Sequence, residues 1–137
     1  MATNTTYEAL QTLKLNGMAD VYAELVAQGG RAPEDPNQWI NHMVAREKSI
    51  RDEKRLQSRL RTAKLRDTNA TMDTVDLNVK RTLDHTAFEA LRDGAWIDAH
   101  HTVLMSGPCG VGKSYLACAL GHEACKLGKS VLFFRMP

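Results

Sequence analysis

Residues 107–114 read Gly107-Pro108-Cys109-Gly110-Val111-Gly112-Lys113-Ser114, and no other stretch of the 137-residue chain restricts its fold as strongly. The order matches the phosphate-loop pattern G-x-x-x-x-G-K-[ST]. Glycines in such a loop let the backbone wrap an anion with its N–H groups pointing inward, an approach that Cβ atoms would obstruct. The context is the one the pattern requires: the apolar run Thr102-Val103-Leu104-Met105 comes before the loop and a helical pattern, Lys113 to Leu127, follows. That helix start adds unpaired N–H groups and the positive end of its dipole. The expectation is that Lys113 places its ammonium between the terminal phosphates of ATP and that the Ser114 hydroxyl coordinates Mg2+. Gly107, Pro108, Cys109, Gly110, Val111, Gly112, Lys113, Ser114 and the adjoining Tyr115 are therefore the candidate nucleotide-binding residues. A second apolar run, Val131-Leu132-Phe133-Phe134, lies beyond the helix, and the two runs predict buried strands of an α/β fold.

The first third of the chain predicts short helices joined by turns. Tyr7 to Leu13 is weakly amphipathic, and Asn16-Gly17 reads as an interruption with left-handed backbone geometry. Met18, Val21, Tyr22, Leu25 and Val26 fall on one helical face, which Gln28-Gly29-Gly30 ends. Asp35-Pro36 is a strong helix start, and Trp39, Ile40, Met43 and Val44 open the apolar face of the helix that follows.

Beyond Ala45 that helix turns basic. Nine cations, Arg46, Lys48, Arg51, Lys54, Arg55, Arg59, Arg61, Lys64 and Arg66, stand against three acids, so the stretch carries +6 in a chain whose net charge is only +2. Positive charge is concentrated there, which makes the nine residues candidate contacts to DNA phosphates; a solvated helix face is the alternative. Nothing in the stretch identifies a base-reading residue, so any such contact is expected to be independent of DNA sequence. Asp67 to Asp76 reads as a loop, giving an expected organisation of a helical domain over 1–66, a linker over 67–85 and a nucleotide-binding region from 86 onward. Thr86-Ala87-Phe88-Glu89 has capping-box spacing and predicts a helix ending near Gly94, with Trp96 and Ile97 as packing residues.

Composition narrows the rest. With 43% hydrophobic and 25% charged residues the chain reads as an ordinary globular protein. There is no apolar run long enough to span a membrane, and Met1 to Thr6 lacks the pattern of a signal peptide, so a cytoplasmic protein is expected. Cys109, Cys118 and Cys125 have neither metal-ligand nor disulfide-framework spacing. His85, His100 and His101 read as surface or linker residues.

The chain resembles the N-terminal half of the IstB-type transposition helper ATPases, AAA+ proteins similar to bacterial helicase loaders. The likeness rests on Leu13-Lys14-Leu15-Asn16-Gly17-Met18, the basic helix from Glu47 to Arg66, Leu91, Trp96-Ile97, the phosphate loop continuing through Tyr115-Leu116-Ala117, and Ala119-Leu120-Gly121. Departures are Cys109 in place of a second proline, Val111 and Ser114 in place of threonines, and Val75-Asp76-Leu77 where an aromatic-Asp-aromatic motif is common. The resemblance implies a P-loop AAA+ core after an all-helical N-terminal domain, with ATP and Mg2+ as cofactors, DNA and a transposase as partners, and self-assembly in the full-length family. It also implies Walker B acids, sensors and an arginine finger on later strands. After Ser114 the chain holds one acid, Glu123, so the expectation is a truncated form with little or no hydrolysis. A helicase-loader-like ATPase and a non-enzymatic binding module with a vestigial loop are the rival readings.

Overall fold

The computed structural model describes residues 2–76 and 83–137, and they form two compact units, 1–55 and 56–137. Six α-helices are present among them: α1 (Ala2–Thr12), α2 (Asn16–Gln28), α3 (Pro36–Ala63), α4 (His85–Glu89), α5 (Ala95–Asp98) and α6 (Lys113–Lys126). Two 3-10 turns, Gly29–Arg31 and Met72–Thr74, complete the regular structure.

In the first unit α1 packs on α2. The break between them falls at Lys14, whose φ of 58° carries the left-handed turn, and the Leu15 N–H closes it onto Leu10 O at 2.9 Å. Asn16-Gly17, expected to be that turn, instead opens α2. Gly17 is needed there for a different reason: a Cβ at this position would stand 2.9 Å from Glu47 Cα and 3.0 Å from Glu47 N, so α2 and α3 meet backbone to side-chain-free backbone. α3 begins as its Asp-Pro signal requires, with the Asn37 N–H bonded to Asp35 Oδ1 at 2.9 Å.

Glu47, only 8% exposed, ties the two helices together. Its Oε2 accepts from the N–H groups of Gly17 (2.8 Å) and Met18 (3.3 Å), two of the donors that a helix start leaves without intrahelical partners, and its Oε1 accepts from Arg51 Nε at 2.9 Å. Burial alone raises the carboxyl's pKa, but the Arg51 bond, the two backbone bonds and the Arg51 charge together outweigh it and hold the group below the ordinary glutamate value. A lowered folded-state pKa gives a stabilisation that is complete above the ordinary value and is lost as pH falls through the lowered one. The melting temperature is therefore expected to drop as pH falls below about 4.5. In a Glu47→Gln variant followed across the same pH range, this part of the slope should be absent.

The core of the second unit is built around α6. Leu116, Cys118, Ala119, Leu120 and Cys125 are buried with Ala63, Leu65, Ala70, Met72, Val75 and Phe88. Ala70, Met72 and Val75 thus pack inward although the composition of their segment reads as loop. A capping box holds them: the Thr71 hydroxyl accepts from the Thr74 N–H at 3.2 Å and the Thr74 hydroxyl from the Thr71 N–H at 3.0 Å. Arg92 then bridges Asp73 (2.8 Å) and Glu89 (3.1 Å). The helix expected to start at Thr86 starts at His85, capped by Asp84 Oδ1 on the Ala87 N–H at 3.1 Å, and is five residues long. Leu77 and the middle of the expected linker lie outside the described residues.

The expectation of an α/β P-loop core is corrected by this structure. Among the described residues there is no strand and no sheet, and the regular structure is helical. The runs 102–105 and 131–134 are apolar enough for strands, but a strand exists only through a ladder with a neighbour, and neither run has one. Val131 and Phe133 turn toward the core, whereas Leu132 and Phe134 are 54% and 77% exposed and Leu104 is 90% exposed. The Phe133 N–H bonds to Ala63 O at the end of α3, at 2.8 Å, rather than to another extended segment.

Candidate nucleotide site

The phosphate loop enters α6 through Gly112, whose φ of 92° is left-handed, as is that of Gly110 at 84°. Both positions are strained for any residue with a Cβ, which accounts for glycine at each. Gly112 is the N-cap of α6 and carries no capping side chain. The N–H groups of the first turn, from Lys113 to Tyr115, are therefore left to an external acceptor, with the helix dipole favouring an anionic one. Lys113 Nζ donates to the carbonyls of Gly107 and Pro108, each at 2.6 Å, which holds the ammonium across the loop.

A cavity of about 540 Å³ opens on this loop. Cys109, Gly110, Gly112, Lys113, Ser114 and Tyr115 line it, so six of the nine candidate nucleotide-binding residues converge on one space. Gly107 and Pro108 take part through the carbonyls that bind Lys113, and Val111 is 40% exposed without lining the cavity. The Tyr115 hydroxyl meets the Thr74 hydroxyl at 2.7 Å, which fastens the helix start to the capped turn at 71–74. A triphosphate fits these residues: uncapped N–H groups, a cation and a hydroxyl surround one cavity. Trp96 and Ile97 do not line the cavity. The Trp96 indole N–H bonds to Leu91 O at 3.0 Å, the arrangement of a packing residue.

Cys118, on the second turn of α6 and four residues after Ser114, is buried and lines the cavity too. Two further lining residues escaped the sequence reading. Arg66 and Asp67 also line the cavity. Nothing local distinguishes Arg66 from the basic residues before it, because its placement depends on where α3 ends.

The remaining cations divide between the units. Arg46, Lys48, Arg51, Lys54 and Arg55 belong to the first, where all are exposed. Lys48, Arg51 and Arg55 share one face of α3 by helical spacing. Arg51 is engaged by Glu47, and Arg55 lies 3.6 Å from Asp52. In the second unit Arg59 is half-buried beside Gly128, while Arg61, Lys64 and Arg66 are exposed. No helix among the described residues is long and apolar enough to cross a membrane.

Comparison with known proteins agrees with the loop. Residues 8–137 match the family model described as IstB-like ATP binding protein. An insertion sequence ATP-binding protein of Sinorhizobium fredii is 43% identical over 137 residues, covering all of this chain and 56% of the relative. One from Pseudomonas fluorescens is 37% identical over the same length, covering 59% of that protein. A third, from Mycobacterium tuberculosis, is 33% identical over 125 residues, 91% of this chain and 49% of the relative. The chain belongs to the IstB-like ATP-binding protein family. It spans a little over half the length of the first two relatives.

Proposed function

We propose that this chain is the ATP-binding part of a helper protein of DNA transposition. One observation carries the reading: an uncapped helix start, a glycine-formed loop and Lys113 face a single cavity large enough for a nucleotide. The loop and first-turn N–H groups would bind the phosphate oxygens, Lys113 would exchange its two carbonyl partners for them, and Ser114 would hold Mg2+. Bound Mg2+ supplies positive charge that offsets the charge of the phosphate chain. The relatives, by their names, are ATP-binding proteins of insertion sequences, which supports a role beside a transposase. Self-assembly on DNA fits the same reading.

Turnover is a separate matter from binding. Among the described residues Asp67 is the one carboxylate lining the cavity, and its Oδ1 accepts from the Asn69 N–H at 3.3 Å, while Glu123 is paired with Lys126 at 3.3 Å. ATP hydrolysis by this chain is expected to be no faster than by a Lys113→Ala control in a phosphate-release assay. Clear turnover above that control would show that these residues suffice for hydrolysis.

DNA contact is assigned to the exposed cations of α3 in the first unit. Without base-reading groups it would act through phosphates and weaken with salt. Reversing the charges of Lys48 and Arg55 together is expected to lower DNA affinity by about tenfold or more in low salt and to flatten its salt dependence. Fluorescence anisotropy with unrelated duplexes measures both. Unchanged affinity in the double variant would make this part of α3 a solvated face only.

A further inference from the structure

The end of α3 delivers Arg66 to the phosphate-loop cavity. The helix stops at Ala63, and Lys64 takes a left-handed conformation, φ 53°, that redirects the chain. Both sides of this turn are pinned. The Ala63 carbonyl accepts the Phe133 N–H at 2.8 Å, and Leu65, 7% exposed, is pressed against α6 where Gly121 has no side chain; a Cβ there would lie 2.9 Å from Leu65 Cδ2. Arg66 and Asp67 therefore emerge at a defined place, in the wall of the cavity that also holds Lys113 and Ser114.

The charges in this wall are unbalanced. Among the described residues, Arg66 and Lys113 share the cavity with one carboxylate, Asp67, which is engaged by the Asn69 N–H. Among the described residues the Arg66 guanidinium has neither a hydrogen bond nor an ion pair, in contrast to Arg51 and Arg92, each held by carboxylates. Two cations converging on one cavity favour an anion between them, and a guanidinium presents the forked donors that match phosphate oxygens. The loop N–H groups would cradle the α- and β-phosphates and Lys113 would reach the β- and γ-phosphates, so a second cation in the wall adds to the same anion site. Tyr115 and Cys118 line the cavity from α6.

We infer that Arg66 is a nucleotide-binding residue that contacts phosphate oxygens of the bound nucleotide, and that it is not a DNA contact. This rests on the nucleotide-binding reading of the loop, and the test separates the two. ATP and ADP, each with Mg2+, are titrated calorimetrically into the full chain and into its Arg66→Ala, Arg66→Lys and Lys113→Ala variants, with DNA anisotropy measured in parallel. The expected result for Arg66→Ala is a loss of about tenfold or more in affinity for ATP, with nucleotide-free melting temperature and DNA affinity unchanged. Arg66→Lys, which keeps the charge but loses the fork, is expected to recover part of the loss and guards against a folding defect in the alanine variant. Parental ATP and ADP affinity in Arg66→Ala overturns the inference, most directly if DNA binding falls instead. A loss for ATP but not ADP places the contact on the γ-phosphate, and a loss for both places it on the inner phosphates. If the parent binds ATP no better than Lys113→Ala, the nucleotide reading fails and the inference fails with it.

Discussion

Replacing Lys113 by alanine is expected to weaken ATP binding on the order of a hundredfold, since charge-assisted bonds to two phosphates are lost together. The fold should survive the change. Lys113 bonds only to the carbonyls of Gly107 and Pro108, both on the exposed loop, and its side chain lies outside the buried cluster of the second unit. A calorimetric titration paired with a thermal melt separates the effects: affinity collapses while the nucleotide-free melting temperature stays near the parent's. A variant that binds ATP normally would mean that the loop N–H groups act without the ammonium, or that the nucleotide binds elsewhere.

Gly17→Val is expected to cost the first unit about 3 kcal/mol, the upper part of the range for overpacked sites. The atoms a new Cβ would meet are Glu47 Cα and N, at 2.9 and 3.0 Å, and backbone atoms of a long helix cannot swing aside as the Ile50 side chain can. Moving α2 away to relieve the clash would also lengthen the bonds from Gly17 and Met18 to Glu47 and leave that carboxylate short of donors. Urea unfolding measures the loss. Its selectivity is a second readout: ATP affinity, set by residues of the second unit, should change far less than stability.

The glycine loop at 107–112 and the helix start after it were legible in the sequence because their requirements are local. Gly110 and Gly112 need left-handed backbone and Lys113 must stand next to the helix start, so the requirement is written at fixed spacing in one short segment. The start of α3 at Pro36 was legible for the same reason, through its capping aspartate. Other features depend on partners distant in sequence. Thr102 to Met105 and Val131 to Phe134 have strand-like composition, but composition supplies no ladder, and the structure leaves both without one. The end of α3 carries no glycine or proline; Lys64 turns the chain because Ala63 and Leu65 are held by Phe133 and α6. Arg66 consequently read as one more cation in a basic run, although it lines the same cavity as Ser114. Gly17 misled in the opposite direction: a residue that usually marks a turn is there to let two helix backbones approach.

The most direct test of the nucleotide site is amide hydrogen exchange of the full chain with and without saturating ATP and Mg2+. The expected result is slowed exchange in peptides covering 107–116, where the loop and first-turn N–H groups acquire phosphate acceptors, and none of it in the Lys113→Ala variant. Unchanged exchange over 107–116, or the same protection in Lys113→Ala, would contradict the assignment of this loop as the phosphate cradle.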